Sequence, residues 1–435
     1  MAKTVQFNCS ILSLFEKILQ LKGYPFAQAK AELARLQSMS ADEFINWQQE
    51  KAWQQVHFHY RHNPLYRKLT SNILPDRWED LPIVTKKDLQ QPLNSIITNG
   101  VTLRDCHTSN TSGSTGTPFF YAKDKMAHAM TWAVIDDRYR WYGLTLASRQ
   151  ARFYGIPKEF LAHKAELLKD RLMNRERFSV FDLSDKAMEQ FIYRFRNNRF
   201  DYIYGYTSAL VMFARYLISK GITIKEICPS VNICISTSET AAPEDHEILT
   251  KGFGVPHIRE YGLSETCITA FDAPDGNWKL TEETLLTETH VGKILSTSLY
   301  NTALPMIRYE TGDVGVIDNT RIGIHRNLQQ LHGRTNDMII LPSGKKAAGL
   351  TFYYISRSVL ESSGVLKEFI IRQTKSHQFI FDIVADRDLT TEERELVKQK
   401  ISLYLEPGLD IILNRVQYIE RPASGKLKHF YSELI

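Results

Sequence analysis

Apolar residues recur at helical spacing through the first 90 residues, most clearly in Ala27–Leu36 and Ala41–His57, until Pro64 and Pro82 punctuate the pattern. Beyond that point helical and strand periods alternate. Lys125–Trp141 reads as a helix and Ala151–Ile156 as a short strand. Asp185–Arg196 is an amphipathic helix that carries Phe191, Ile192 and Phe195 inward, with Arg194, Arg196 and Arg199 as its solvated face. Asp201–Tyr206 is a strand running into a loop, and helix Ser208–Ser219 follows, ended by Lys220-Gly221. Val231–Ile235 is a buried-strand candidate, then loop Ser236–Pro243 leads into helix Glu244–Thr250.

This alternation predicts an α/β fold, with a large N-terminal domain of mostly parallel sheets and covering helices. Ligands in such sheets sit beyond the carboxyl ends of the strands, where Ser236–Pro243 and Tyr261–Glu265 are placed. The last hundred residues change character. Strands Glu368–Gln373 and Gln378–Val384, helix Thr391–Leu405 and strand Asp410–Val416 precede the Pro422–Lys428 loop, which makes a small α+β unit. The polar Gly333–Asp337 segment separates the parts, so the predicted domains are 1–333, of which 1–90 is mainly helical, and 334–435.

Composition narrows the class. A chain of 435 residues, 43% hydrophobic, is long enough for two domains. Its 54 basic and 49 acidic residues leave a net charge of only +5, with no basic stripe interleaved with aromatic platforms, which argues against nucleic-acid binding. The five cysteines are scattered without a Cys-x-x-Cys spacing, and none of the thirteen histidines clusters with them, so they read as reduced thiols rather than zinc ligands. No apolar run reaches membrane-spanning length, and Glu16 and Lys17 interrupt the apolar Ile11–Phe15 stretch, which reads as an amphipathic helix rather than a signal peptide. The expectation is a soluble cytoplasmic protein without a membrane span.

Five stretches carry candidate chemistry. Thr108–Pro118 is rich in hydroxyls, and Gly113 and Gly116 let its backbone approach a ligand closely, so main-chain N–H groups and side-chain hydroxyls can converge on phosphate oxygens. It is not the P-loop of the NTPases, because Thr117-Pro118 follows Gly116 where that motif requires Lys-Ser/Thr. Glu260–Thr266 sets an aromatic ring, a glycine, a hydroxyl and a carboxylate together, suited to stacking on adenine and holding Mg²⁺ through oxygen. In Ile307–Asp313 an aspartate after a turn glycine can accept from ribose hydroxyls. Gly333–Asp337 and Ser424–Lys428 add cations for a polyphosphate. Taken singly, Tyr261 suits a core, Glu265 a cap, Asp313 a turn and Lys426 the surface.

In this order and spacing the chain resembles the AMP-forming acyl-adenylate ligases, and within them the phenylacetate–CoA ligase branch and its relatives from capsular polysaccharide gene clusters. His62–Arg67, Leu81–Leu89 and Leu304–Tyr309 carry the branch resemblance, which runs from about residue 50 to the C-terminus. It implies a mobile C-terminal lid hinged at Asn336, a position where acidic residues are usual. It implies ATP and Mg²⁺ as cofactors, a small carboxylic acid as substrate, and CoA or a carrier-protein thiol as acyl acceptor, and it permits an oligomer.

Residue by residue, the resemblance assigns Ser112, Gly113, Ser114, Thr115, Gly116 and Thr117 to the phosphate loop, Tyr261 and Gly262 to the adenine site, Ser264 to the α-phosphate and Glu265 to Mg²⁺. Asp313 goes to the ribose, Arg334 to the nucleotide, and Lys426 to the adenylation transition state. Ser238, Glu239 and Thr240 match a loop beside adenine and the acyl carboxylate. Thr117 stands where lysine is common, so either the pyrophosphate is held with less positive charge or Lys123 or Lys125 compensates. Tyr204, Tyr206 and Phe213 either line an acid pocket or belong to the core. Two further readings stay open: transfer of the acyl group to an amine or hydroxyl of a surface-polysaccharide precursor, and a degenerate relative that binds nucleotide without turnover.

Overall fold

Asn63 lies between two helices and serves both. It ends helix Ala41–His62, and its carboxamide oxygen accepts from the Tyr66 amide to begin helix Pro64–Leu69, while its Nδ2 donates to the Ile96 carbonyl at 2.9 Å and to Thr98 Oγ1 at 3.1 Å. Asn63 and Tyr66 are the buried residues of this joint, while His62, Pro64 and Arg67 are exposed, and helix Ala41–His62 runs five residues past the expected His57 because nothing interrupts it before Pro64. The computed structural model describes residues 14–111, 119–154, 160–180, 183, 185–334, 338–344, 346–348, 366–420 and 430–434. Helices Leu14–Leu21, Phe26–Gln37, Ala41–His62 and Pro64–Leu69 make the first part helical, as the periodicity predicts.

A hairpin of β1 (His107–Thr111) and β2 (Phe119–Lys123) comes next, antiparallel and in register at Thr111↔Phe119. Strands β3 (Gln150–Tyr154), β4 (Arg175–Ser179), β5 (Tyr202–Tyr206), β6 (Ile233–Thr237) and β7 (His257–Leu263) pair in parallel, in the order β4-β3-β5-β6-β7. They form the parallel sheet that the alternation predicts. From β7 onward the direction changes, because the three-residue turn Ser264–Thr266 sends β8 (Cys267–Asp272) back along it, and β9 (Trp278–Leu280) is again antiparallel. With β10 (Leu285–His290), β11 (Lys293–Ser298), β12 (Tyr309–Ile322) and β13 (His325–Arg334) the sheet is mixed and eleven-stranded, in the order β10-β11-β12-β13-β9-β8-β7-β6-β5-β3-β4.

One face of the parallel part packs helices Asp185–Asn197, Thr207–Ser219 and Pro243–Phe253 over Phe153 and Phe178 of the strands, with the helices contributing Phe191, Phe195, Phe213 and Phe253. Phe213 is fully buried there, so it belongs to the core. Arg194 departs from the expected solvated face. It lies 3.8 Å over the Phe178 ring and donates to Glu176 at 2.8 Å, because its long stem spans the apolar cluster before reaching a partner. The other face packs helices Phe26–Gln37 and Lys125–Arg140 over Tyr202, Tyr204, Ile233, Ile235 and Ile258.

The chain divides into two compact units, the first holding Met1–His290, Leu295–Thr311 and Ile317–Gln329, the second Val291–Ile294, Gly312–Val316 and Gln330–Ile435. The second has an α+β core. Strands β16 (Leu366–Lys375), β17 (Gln378–Ala385), β18 (Asp410–Arg415) and β19 (Phe430–Ser432) form a sheet in the order β18-β17-β16-β19 beside helix Thr391–Tyr404, burying Ile371, Phe379, Phe381 and Ile401. Strands β14 (Met338–Ile340) and β15 (Lys346–Ala348) pair separately. Among the described residues no helix is long and apolar enough to cross a membrane, and Cys106, Cys228, Cys234 and Cys267 are free of disulfides.

Candidate nucleotide site

The β7–β8 hairpin is built so that its turn stands beyond the carboxyl end of the parallel strands. A bulge falls between Tyr261 and Gly262, and a Cβ on Gly262 would lie 2.4 Å from the Cys267 carbonyl oxygen, so only glycine lets β8 approach this closely. Gly262→Ala is expected to destabilise the first unit by about 1–3 kcal/mol, as overpacking does. An unchanged midpoint in thermal unfolding followed by tryptophan fluorescence would refute it.

The turn sorts its side chains. Ser264 is exposed, whereas Glu265 and Thr266 are buried. The Tyr309 hydroxyl, from the start of β12, donates to Glu265 Oε1 at 3.0 Å. Asp313 is four residues further along the same strand, buried, immediately after Gly312, whose φ of +82° is the left-handed conformation glycine adopts freely. Tyr261 is buried with its ring 6.3 Å from that of Trp278, edge to face.

Lys123 completes this corner. The last residue of β2, it is 5% exposed and shares a cavity of about 20 Å³, room for a water, with Glu265, Thr266, Cys267, Thr131 and Asn301. Burial pushes its ammonium below the usual lysine range, and the charges of Cys267 and Glu265 only partly oppose this. Its one hydrogen bond among the described residues runs 3.4 Å to Thr131 Oγ1, while Thr266 Oγ1 in the same cavity has no partner among them. Lys125, by contrast, is only half-buried and faces Asp105 at 3.6 Å. Of the two lysines weighed against the absent loop lysine, Lys123 is the one that stands beside Glu265.

The other candidates are distributed differently. Ser112, Gly113, Ser114, Thr115, Gly116 and Thr117 lie outside the described residues, as do Asn336 and Lys426, and Arg334 is the last residue of β13. Ser238 follows β6 with a φ of +71° and is exposed, and Thr240 is half-buried. Glu239 caps a helix: its Oε2 accepts from the Ser208 amide at 2.7 Å and its carbonyl accepts from Thr207 Oγ1 at 2.9 Å. Arg308 is structural. It donates to Glu288 at 2.8 Å and to the carbonyls of Glu79 and Leu81 at 2.6 and 2.9 Å, which ties the Leu81–Leu89 and Leu304–Tyr309 stretches together.

Sequence reasoning passed over two residues of the sheet's carboxyl edge. Glu260 accepts from Tyr204 at 2.6 Å and from Tyr139 at 3.3 Å, and burial pushes its carboxyl up despite those donors and the nearby Arg152 charge. Glu260 and Arg152 both read as the polar half of an alternating strand, and only the pairing of β3, β5, β6 and β7 shows that the face they share is covered.

The fold of the chain, an α/β sheet followed in sequence by a small α+β unit, is shared with solved acyl-CoA ligases. The chain shares that fold with 2-hydroxyisobutyryl-CoA ligase captured in the postadenylation state with an acyl-AMP, at a TM-score of 0.68 and 15% identity over 92% of each chain. It also resembles the anthranilate CoA ligase AuaEII bound to anthranoyl-AMP, with a TM-score of 0.51 and 14% identity over 76% of this chain and 67% of that one. Protein CapK of Staphylococcus aureus is 20% identical over 320 residues, 71% of this chain and 69% of CapK. No family model matches the chain.

Proposed function

We propose that the protein activates a carboxylic acid with ATP, forming acyl-AMP and pyrophosphate, and then passes the acyl group to the thiol of CoA. The observation that carries this reading is the β7–β8 turn, where Tyr261, Ser264 and Glu265 are gathered beyond the parallel strands with Tyr309 holding Glu265. Attack of a carboxylate on the α-phosphorus brings one anion toward another, so the protein's task is neutralisation and alignment rather than proton transfer. Tyr261 would cover adenine, Asp313 would accept from the ribose hydroxyls, and Ser264, exposed at the turn, would donate to the α-phosphate. The fold shared with 2-hydroxyisobutyryl-CoA ligase, captured with an acyl-AMP and with CoA, supports the same sequence of steps and CoA as the acceptor.

Mg²⁺ suits this donor set. Among the described residues no three His, Cys, Asp or Glu side chains gather around a common point, and Mg²⁺ is commonly held by one or two carboxylates with substrate phosphates and water rather than by a protein cage. Glu265 would be its protein ligand, and the ion would screen the phosphate charge when bound.

Pyrophosphate release measured across a panel of aliphatic and aryl acids tests the reading, and no release with any acid would overturn it. Glu265→Gln removes a hard anionic ligand with little change of shape, so its activity is expected to require more Mg²⁺. Superimposable Mg²⁺ titrations of variant and wild type would return Glu265 to a structural role.

A further inference from the structure

On the covered face of the parallel sheet Arg152 differs from its neighbours. The register sets it between Arg177 of β4 and Tyr204 of β5, with Gln150 and Arg175 one pair back and Tyr154 one pair on. Arg175 and Arg177 are answered by carboxylates: Arg175 reaches Asp170 at 2.5 Å, and Arg177 reaches Asp170 and Glu166, each at 2.9 Å. Arg152 has no carboxylate within 4 Å among the described residues. Its guanidinium carbon lies 4.0 Å from the Tyr154 ring centre and 5.0 Å from that of Tyr204, its Nη1 donates to Gln150 at 3.1 Å, and its buried Nε has no partner.

Among the described residues, the ion pairs set these three guanidinium groups against two carboxylates, Asp170 and Glu166, and Glu166 is shared further with Lys169. Glu260, on β7 across the same face, accepts from the hydroxyls of Tyr204 and Tyr139. The Tyr154 and Tyr204 rings lie 5.7 Å apart and nearly parallel, and Arg152 lies over both rather than between them; a guanidinium packed on aromatic rings presents a planar fork, the group that recognises a carboxylate with two parallel hydrogen bonds. Arg152 and Tyr154 are half-buried rather than sealed, so a ligand can reach them.

We propose that Arg152 receives a second carboxylate on the acid substrate, so that the enzyme prefers dicarboxylic acids; this rests on the acid-activating reading above. Tyr154 and Tyr206, with ring centres 4.2 Å apart, flank the approach from the carboxyl ends of β3 and β5. From β3 to the Ser238–Thr240 loop after β6 is two strand spacings, roughly 10 Å, so an extended diacid rather than a very short one would span from Arg152 to the reacting end.

The test compares straight-chain diacids from succinate to sebacate with monoacids of equal length, in wild type, Arg152→Met and Arg152→Lys. The readouts are pyrophosphate release and calorimetric titration of each acid into protein without ATP. Wild type is expected to favour one diacid length over its monoacid by about 10- to 100-fold in kcat/KM, as for loss of a charge-assisted pair. That ratio should fall to near one in Arg152→Met and to an intermediate value in Arg152→Lys, which keeps the charge and loses the fork. A wild type without diacid preference, or an Arg152→Met that keeps it, overturns the proposal. If no acid releases pyrophosphate, the acid-activating reading fails by itself, and the titrations still decide: equal diacid heats in wild type and Arg152→Met would sink the Arg152 site.

Discussion

Lys426→Ala is expected to lose roughly 10²–10³ in the rate of acyl-AMP formation, by analogy with removal of one preorganised donor from an oxyanion site. The expectation rests on the Ser424–Lys428 stretch and the role its resemblance implies: an ammonium answering the charge that develops as pyrophosphate departs. The second half-reaction has no such need, because pyrophosphate has already gone when the thiol attacks the acyl carbon. Supplied acyl-AMP with CoA should therefore be converted by Lys426→Ala at a rate near that of wild type. Pyrophosphate release reports the first step and thioester formation from synthetic acyl-AMP the second. Equal loss in both would remove the division of labour, and full retention of adenylation would move the role to Lys428.

Local patterns told most of the fold. The apolar runs at Asp201–Tyr206 and Val231–Ile235 became β5 and β6, and the amphipathic stretches around them became the covering helices, because period and breaker residues are properties of neighbours in sequence. The change of sheet direction at β7 was not separable from the alternation: it depends on a three-residue turn and on Gly262 giving way to the Cys267 carbonyl, a contact no spacing announces. The site shows the same divide. Tyr261, Ser264 and Glu265 stood together in one motif, and Tyr309 opened another, yet the hydrogen bond joining the two spans 44 positions. Glu239 shows the reverse, a residue singled out for a ligand whose carboxylate caps helix Thr207–Ser219, 31 positions back. Lys123 followed the phosphate loop as one of two lysines weighed for it, and only burial distinguishes it from Lys125.

The least legible feature is also the one with the largest expected effect on stability. Glu282-Glu283 reads as a charged, solvated stretch, yet Glu283 is completely buried against Arg138, likewise buried, whose Nη2 reaches both carboxylate oxygens at 2.8 and 2.7 Å. Arg138 also reaches Asp137 at 2.5 Å and lies 4.6 Å from the Trp141 ring, so helix Lys125–Arg140 is fastened by charge to the segment that enters β10. A buried pair of this kind is worth little relative to an apolar replacement, but breaking it strands one charge. Glu283→Ala is therefore expected to destabilise the first unit by about 3–5 kcal/mol, and the double variant Arg138→Met/Glu283→Leu by less than the single one.

All six tryptophans lie before His290, within the first unit, so urea unfolding followed by their fluorescence reads the change there. Burial alone would raise the Glu283 carboxyl, but Arg138 and His325 overcome it and hold the group at about 2, below its ordinary 4.5. A depressed carboxyl contributes its stability above the unfolded value and loses it as pH falls toward the folded one. Wild type should accordingly lose stability between about pH 4.5 and 2, and part of that loss should be absent from the double variant. A Glu283→Ala penalty under 1 kcal/mol, or acid profiles that coincide, would show that the pair does not fasten the helix.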